Sequence, residues 1–308
     1  MNRQIRKKSA WLQKEVTGAN SGIGQQVAIE AAKAGSKVTL IARNIERLQA
    51  SIQLIEDCKA WTEKPQTQFY SLDLSKDFES IQKVFRLAEH NFGPIYMLVN
   101  CAGMAVCGSI KDTPIEDFHL MHNLNLMGTV HAVKAVLEGM TEREEGIIVV
   151  TSSLAALFGI YGYPAYTCSK FGLRGFAETL RMEVKPYNIS VTLALPPDTD
   201  TPGFANEEKT KPEETKQISG SAGLIAPSVV AKQIMKDALA GNFYSTVGIT
   251  GAMLKNVTAG MAPYSSICEV ITQVLTMPVL RIVSAFLLDS FDKICKRCKE
   301  DRDKQKNS

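Results

Sequence analysis

Thr17-Gly18-Ala19-Asn20-Ser21-Gly22-Ile23-Gly24, the stretch TGANSGIG at 17–24, decides how this chain is read. Its glycines follow the order G-x-x-x-G-x-G and precede a segment of helical spacing from Gln25. Glycine allows a tight turn there and lets backbone N–H groups approach a pyrophosphate at a helix N-terminus. Gly18, Asn20, Ser21, Gly22, Ile23 and Gly24 are therefore the candidate phosphate cradle. A glycine pattern alone is equally an ordinary turn; its setting argues for the cradle.

Outward from that loop, apolar β-branched runs alternate with helical stretches. The runs are 36–42, 67–72, 95–100, 146–152, 189–195 and, less clearly, 243–250. Helical spacing marks Gln25–Ala34, Ile45–Trp61, Phe78–Phe92, Ile115–Met140 and Ala165–Val184. Such alternation predicts right-handed crossovers and a parallel sheet covered on both faces, an α/β doubly wound, Rossmann-like fold. The weak element is the first strand, LQKEV at 12–16, where only Leu12 and Val16 suit a buried parallel strand. The segment 196–224 is long and polar enough to be a substrate loop. The predicted organisation is an atypical segment 1–11, one nucleotide-binding domain 12–252, and an apolar helical extension with a charged tail, 253–308.

With 45% hydrophobic residues in 308, the chain can bury a sizeable core, which excludes disorder. A formal net charge of +3 is too small to suggest nucleic acid as partner. Seven scattered cysteines form no disulfide framework, so reduced thiols facing the cytosol are expected. The first fourteen residues lack an apolar secretory core. Val270–Leu288 is the most membrane-like stretch, but Pro278 and Arg281 interrupt it. It is expected to be an apolar helix pair docked on the fold or lying on a bilayer surface. Cys295 and Cys298, and His119 and His122, lack the companions of a metal site.

Two further groups carry chemistry. After the second run come Arg43 and Arg47, with no acidic residue between Lys37 and Asn44. Arginines there suit the 2′-phosphate of NADP, whereas an acidic residue would accept from the ribose hydroxyl of NAD. Then come Ser152-Ser153 and Tyr166-Thr167-Cys168-Ser169-Lys170. Tyr166 and Lys170 are four apart and share a helix face. A neighbouring ammonium is expected to lower the phenol pKa, so that Tyr166 gives a proton to a carbonyl oxygen. A strand-end serine would hydrogen-bond the same oxygen.

TGANSGIG, VNCAG at 99–103, Asn125 in LNLMG, VVTSS and YTCSK together resemble the short-chain dehydrogenase/reductase family over roughly residues 12–250. The resemblance implies a catalytic set of Ser153, Tyr166 and Lys170, with Asn125 holding a relay water and Ser152 as second choice for the serine. It also implies that Asp73 and Leu74 lie near the adenine, and that Asn100 braces the sheet beside the cofactor. Within the family the chain looks like the reductases of long-chain sphingoid ketones. The telling stretch is PPDTDTPGF at 196–204, and the similarity extends to 289–292. This implies NADPH-dependent ketone reduction at the cytosolic face of the endoplasmic reticulum, with a membrane surface as partner; homo-oligomerisation is left open. Asp198 or Asp200 is expected to face the substrate's ammonium. Relatives of this branch begin with a hydrophobic segment and a β-branched first strand, where this chain has MNRQIRKKSAWLQKE. The competing readings are a steroid or retinoid ketoreductase, and a non-catalytic isoform that cannot close its first strand.

Overall fold

Runs such as VTLIA and GIIVVT become strands because β-branched side chains pack on both faces of a covered parallel sheet. The computed structural model describes residues 12–58, 65–220 and 223–306, and the segment 1–11 lies outside them. In chain order the elements are β1 (Gln13–Thr17), α1 (Gly22–Lys33), β2 (Val38–Ala42), α2 (Ile45–Glu56), β3 (Thr67–Ser71), α3 (Phe78–Phe92) and β4 (Ile95–Asn100). Next come α4 (Ile115–Met121), α5 (Gly128–Glu142), β5 (Gly146–Thr151), α6 (Pro164–Val184) and β6 (Ile189–Leu195). The chain then continues through α7 (Pro202–Glu207), α8 (Glu213–Ser219), α9 (Pro227–Ala240), β7 (Tyr244–Thr246), α10 (Gly248–Val257) and α11 (Ile267–Lys306).

The strands form one parallel sheet in the order β3-β2-β1-β4-β5-β6-β7. Phe85, Met140 and Leu180 bury α3, α5 and α6 against one face; Val27, Leu48 and Ile234 bury α1, α2 and α9 against the other. Strand order reverses between β1 and β4, so the crevice for a ligand opens at the carboxyl ends of these two strands.

The first strand forms despite its composition. It pairs with β2 in register, Glu15 opposite Thr39, and with β4 on the other side, Glu15 opposite Leu98. None of its five residues is more than 1% exposed. Gln13 donates to Thr39 Oγ1 at 2.9 Å, and Lys14 to Ser36 Oγ. Both carboxyl oxygens of Glu15 lack a hydrogen-bond partner among the described residues. Burial above all, with the nearby Glu89 carboxylate adding to it, pushes the Glu15 pKa well above the usual carboxylate range.

Several expected boundaries shift. The helical stretch 115–140 divides into α4 and α5 around a π-helical turn, His122–Met127, whose wider winding carries Asn125 inward. The helix expected over 45–61 ends at Glu56, and 59–64 lie outside the described residues. The run 243–250 holds only a three-residue strand before α10 begins. The loop 196–224 contains two short helices, α7 and α8. The apolar segment is one continuous helix through Pro278 rather than a pair.

Candidate active site

Gly18 has φ +66°, and a Cβ there would lie 2.7 Å from the backbone nitrogen of Ala102. The loop after β1 therefore presses on the loop after β4 as only glycine allows. Thr17 Oγ1 fixes this approach by accepting from the N–H groups of Cys101 at 3.1 Å and Ala102 at 3.2 Å. Gly22 has φ +55°. Asn20, Ser21, Gly22, Ile23 and Gly24 lead into α1, and the Ser21 side chain does not cap that helix. The first-turn N–H groups are thus available to a phosphate.

Arg43 and Arg47 are exposed where β2 passes into α2, and Asn44 caps α2 through Arg47 N–H at 2.7 Å. Asp73 accepts from Ser75 N–H at 3.0 Å and Ser75 Oγ at 2.7 Å. Burial works to raise the Asp73 pKa, but these bonds and the Arg43 guanidinium outweigh it and hold the carboxyl low. Leu74 is buried, its carbonyl within 2.9 Å of where a Cβ on Gly128 would stand. Asn100 donates to Val149 O at 3.2 Å, while its own carbonyl oxygen is buried and unpartnered. Glycine-forced backbone approach, free helix amides and two exposed arginines fit a phosphate-bearing dinucleotide.

Ser153, Tyr166 and Lys170 line a single cavity of about 670 Å³, with Ile23 from the glycine loop on the same wall. Ser153 lies near enough to Tyr166 to oppose the rise of its pKa, and the Ser153 hydroxyl also accepts from Ala155 N–H at 3.1 Å. Ser152 points elsewhere, donating to the Lys170 carbonyl at 2.9 Å. Lys170 Nζ donates to Thr151 O at 3.1 Å and lies 5.6 Å from the Tyr166 ring centre. Asn125 is fully buried: its amide donates to Met104 O at 2.9 Å and Ser169 Oγ at 3.0 Å, and its carbonyl accepts from Met104 N–H at 2.9 Å. A Cβ on Gly103 would stand 3.1 Å from Asn125 Oδ1 and 3.6 Å from Lys170 Nζ. The bare glycine thus lets its backbone sit close to both.

The electrostatics differ from the sequence expectation. Burial raises the Tyr166 pKa above the usual phenol value, with the Ser153 hydrogen bond opposing it. Burial also lowers Lys170 to about 8, which weakens its ability to favour phenolate. Desolvation is the largest cause at both groups, and at Tyr166 the Glu207 and Asp198 carboxylates add to it.

Of the two loop aspartates, Asp198 lines the cavity; Asp200 is exposed, its N–H bonded to Ile225 O at 2.9 Å. Beside Asp198 lie residues that spacing did not single out. The Tyr163 ring is 5.4 Å from that of Tyr166, and its hydroxyl donates to Glu207. The buried Lys211 ammonium pairs with Glu207 at 3.1 Å, with Glu208, and more loosely with Asp198 at 3.9 Å. The far wall comes from α10 and α11, through Met253, Leu254, Leu280, Ser284, Leu287 and Phe291. Apolar spacing revealed a helix there, but no local signal tied it to the cavity.

Residues 15–212 match the family described as short chain dehydrogenase. The chain is 47% identical over 283 residues to a Bos taurus 3-ketodihydrosphingosine reductase, covering 92% of this chain and 85% of the relative. A Danio rerio 3-dehydrosphinganine reductase is 45% identical over 291 residues, covering 94% and 87%. Levodione reductase, a solved structure, shares 22% identity and superposes with a TM-score of 0.70 over 79% of this chain and 97% of that one. An actinorhodin polyketide ketoreductase solved with NADPH gives 0.69, with 24% identity, over 79% and 97%. The chain belongs to the short chain dehydrogenase family.

Proposed function

We propose that the chain reduces 3-ketodihydrosphingosine to dihydrosphingosine with NADPH. The observation that carries this reading is that Ser153, Tyr166 and Lys170 open into a mostly apolar cavity walled by a long apolar helix. The relatives named 3-ketodihydrosphingosine reductase support the substrate, and Arg43 and Arg47 support the phosphorylated cofactor. Bound NADPH supplies the hydride. Ser153 positions the ketone oxygen by hydrogen bonding, and Tyr166 delivers the proton to it. A phenol whose pKa burial holds high keeps its proton at neutral pH, which suits a donor. Lys170 holds a ribose hydroxyl and, cationic below its lowered pKa of about 8, stabilises the phenolate left behind. Asn125 holds the water through which the proton given up by Tyr166 is replaced. Gly18, Asn20, Ser21, Gly22, Ile23 and Gly24 hold the pyrophosphate, Asp73 and Leu74 flank the adenine, and Asn100 braces the cofactor side of β4. Asp198 gives the substrate's ammonium a carboxylate to face.

The proposal extends to a membrane surface at the cytosolic side of the endoplasmic reticulum. The outward face of α11 exposes Ile271, Leu275, Val279, Ile282 and Phe286. The helix is long and apolar enough to cross a bilayer. Its start is tied to α10 by Lys255–Glu269 at 2.8 Å, and its end to α8 by Arg302–Glu214 at 2.5 Å. A helix held so along the domain suits lying on the bilayer rather than crossing it. We also propose a single functional unit in which 12–252 carries cofactor and chemistry, 196–224 covers the substrate, and 253–308 completes the cavity.

NADPH oxidation with detergent-dispersed 3-ketodihydrosphingosine tests the reading. Tyr166→Phe should lower kcat by at least about 100-fold, the low end for loss of a general acid. Arg43→Ala should raise the Kd for NADPH while leaving NADH binding little changed. Absence of turnover in the wild-type chain despite NADPH binding would overturn the substrate assignment.

A further inference from the structure

The cavity of about 670 Å³ reaches from the catalytic residues to α11. Ser153, Tyr166 and Lys170 occupy one wall; Leu280, Val283, Ser284, Leu287, Leu288 and Phe291 form another. Those six recur at helical spacing on one side of α11, a stripe that runs roughly 16 Å along the helix. Phe158, five residues after the catalytic serine, stacks on Phe291, with ring centres 6.4 Å apart and planes 18° from parallel. Both rings line the cavity, and their stack joins the loop after β5 to α11. The α11 residues opposite this stripe face outward, so one helix carries two apolar faces.

We infer that this stripe is the track for the substrate's alkyl chain and that the Phe158–Phe291 stack is its end-stop, setting the longest chain accepted. The inference rests on the function proposed above and adds which residues read chain length. The occupant is a single saturated hydrocarbon chain attached to the ketone: apart from Arg281 at its edge, whose guanidinium lies 3.4 Å from Ser284 Oγ, the stripe contains one polar side chain, Ser284, and its hydroxyl is already bonded to Arg281 O at 2.9 Å. Along such a track each methylene buried should raise kcat/KM about four-fold until the stack is reached. Beyond the stack, added methylenes should contribute nothing or clash.

The test measures kcat/KM for 3-keto sphingoid bases of increasing chain length in the wild type, Phe291→Ala, Phe291→Leu and Ser284→Phe. Phe291→Ala should move the plateau to longer chains, and Phe291→Leu should move it less. Ser284→Phe should fill the track midway and lower the long-to-short ratio of kcat/KM at least about tenfold. Variants that scale every chain length by one factor would overturn the inference. In parallel, thermal stabilisation by saturated amines of the same lengths is measured in the Tyr166→Phe background with NADPH present. If the wild type turns over none of the ketones but amine binding follows chain length and shifts in these variants, the track stands and the substrate assignment falls. Chain-length-independent binding in every variant overturns the track itself.

Discussion

The strand β1 and the helix α11 invert the ordinary distribution of residues in opposite senses. In β1 four polar side chains, Gln13, Lys14, Glu15 and Thr17, are buried at the centre of the sheet. In α11 a row of large aliphatic and aromatic side chains meets solvent, Phe286 at 72% exposure. The strand has tight neighbours on both edges and both faces, so its place is dictated by backbone pairing that any sequence can supply. Its side chains then endure the surroundings, and Glu15 does so without a partner. The helix has surroundings that follow from its side chains: one face walls a cavity and the other is free for a lipid surface. The lesson is that a misplaced residue in a sheet centre signals a stability cost, whereas a misplaced row on a helix signals an interface.

The sharpest way to break the contrast is to charge the outer face of α11. Ile282→Glu with Phe286→Glu should reduce partition onto liposomes by at least about 100-fold, since each lost side chain is worth about 1.5–3 kcal/mol. The melting temperature of the catalytic unit should hardly move; a collapse of that temperature would mean the face packs on protein. Liposome flotation and calorimetry read the two effects.

The complementary substitution makes β1 ordinary. Glu15→Val should stabilise the fold by about 1–4 kcal/mol in urea unfolding, because it removes a buried carboxyl with no partner. A loss of stability would show that the carboxyl is satisfied in solution.

The same residue has a pH signature. Its folded pKa lies above its unfolded value, so the folded state binds the extra proton between the two. Stability is therefore full below about pH 4.3 and falls as pH rises toward the folded pKa, by up to about 1.4 kcal/mol per unit. Glu15→Gln should flatten that decline between mildly acidic and neutral pH. Lys14, lowered to about 8 by burial, acts in the opposite sense at higher pH, where stability should rise. The smallest effect is expected from Lys299→Ala. Its pair with Asp303 at 3.5 Å is exposed on both sides, and the loss should be about 1 kcal/mol or less. Local hydrogen exchange at the end of α11 should nevertheless increase.

Much was legible along the chain because it is local. TGANSGIG shows a turn that needs glycine, and the β-branched runs mark covered strands. Tyr166 and Lys170, four apart, must share a face of α6 whatever surrounds them. These features depend on backbone geometry and nearest-neighbour spacing. Only the tertiary structure separates the two adjacent serines, both of which line the cavity: the Ser152 hydroxyl is engaged by the Lys170 carbonyl, whereas Ser153 acts on Tyr166. It decided between Asp198 and Asp200 in the same way. It also decided that burial, with Glu207 and Asp198 nearby, raises the Tyr166 pKa, since desolvation depends on everything packed around the phenol. The polar QKEVT could be placed at the sheet centre only by its partners β2 and β4, whose backbones need it for their hydrogen bonds. That α11 closes the cavity is a matter of contacts between residues more than a hundred positions apart, such as Phe158 and Phe291, for which sequence spacing carries no signal.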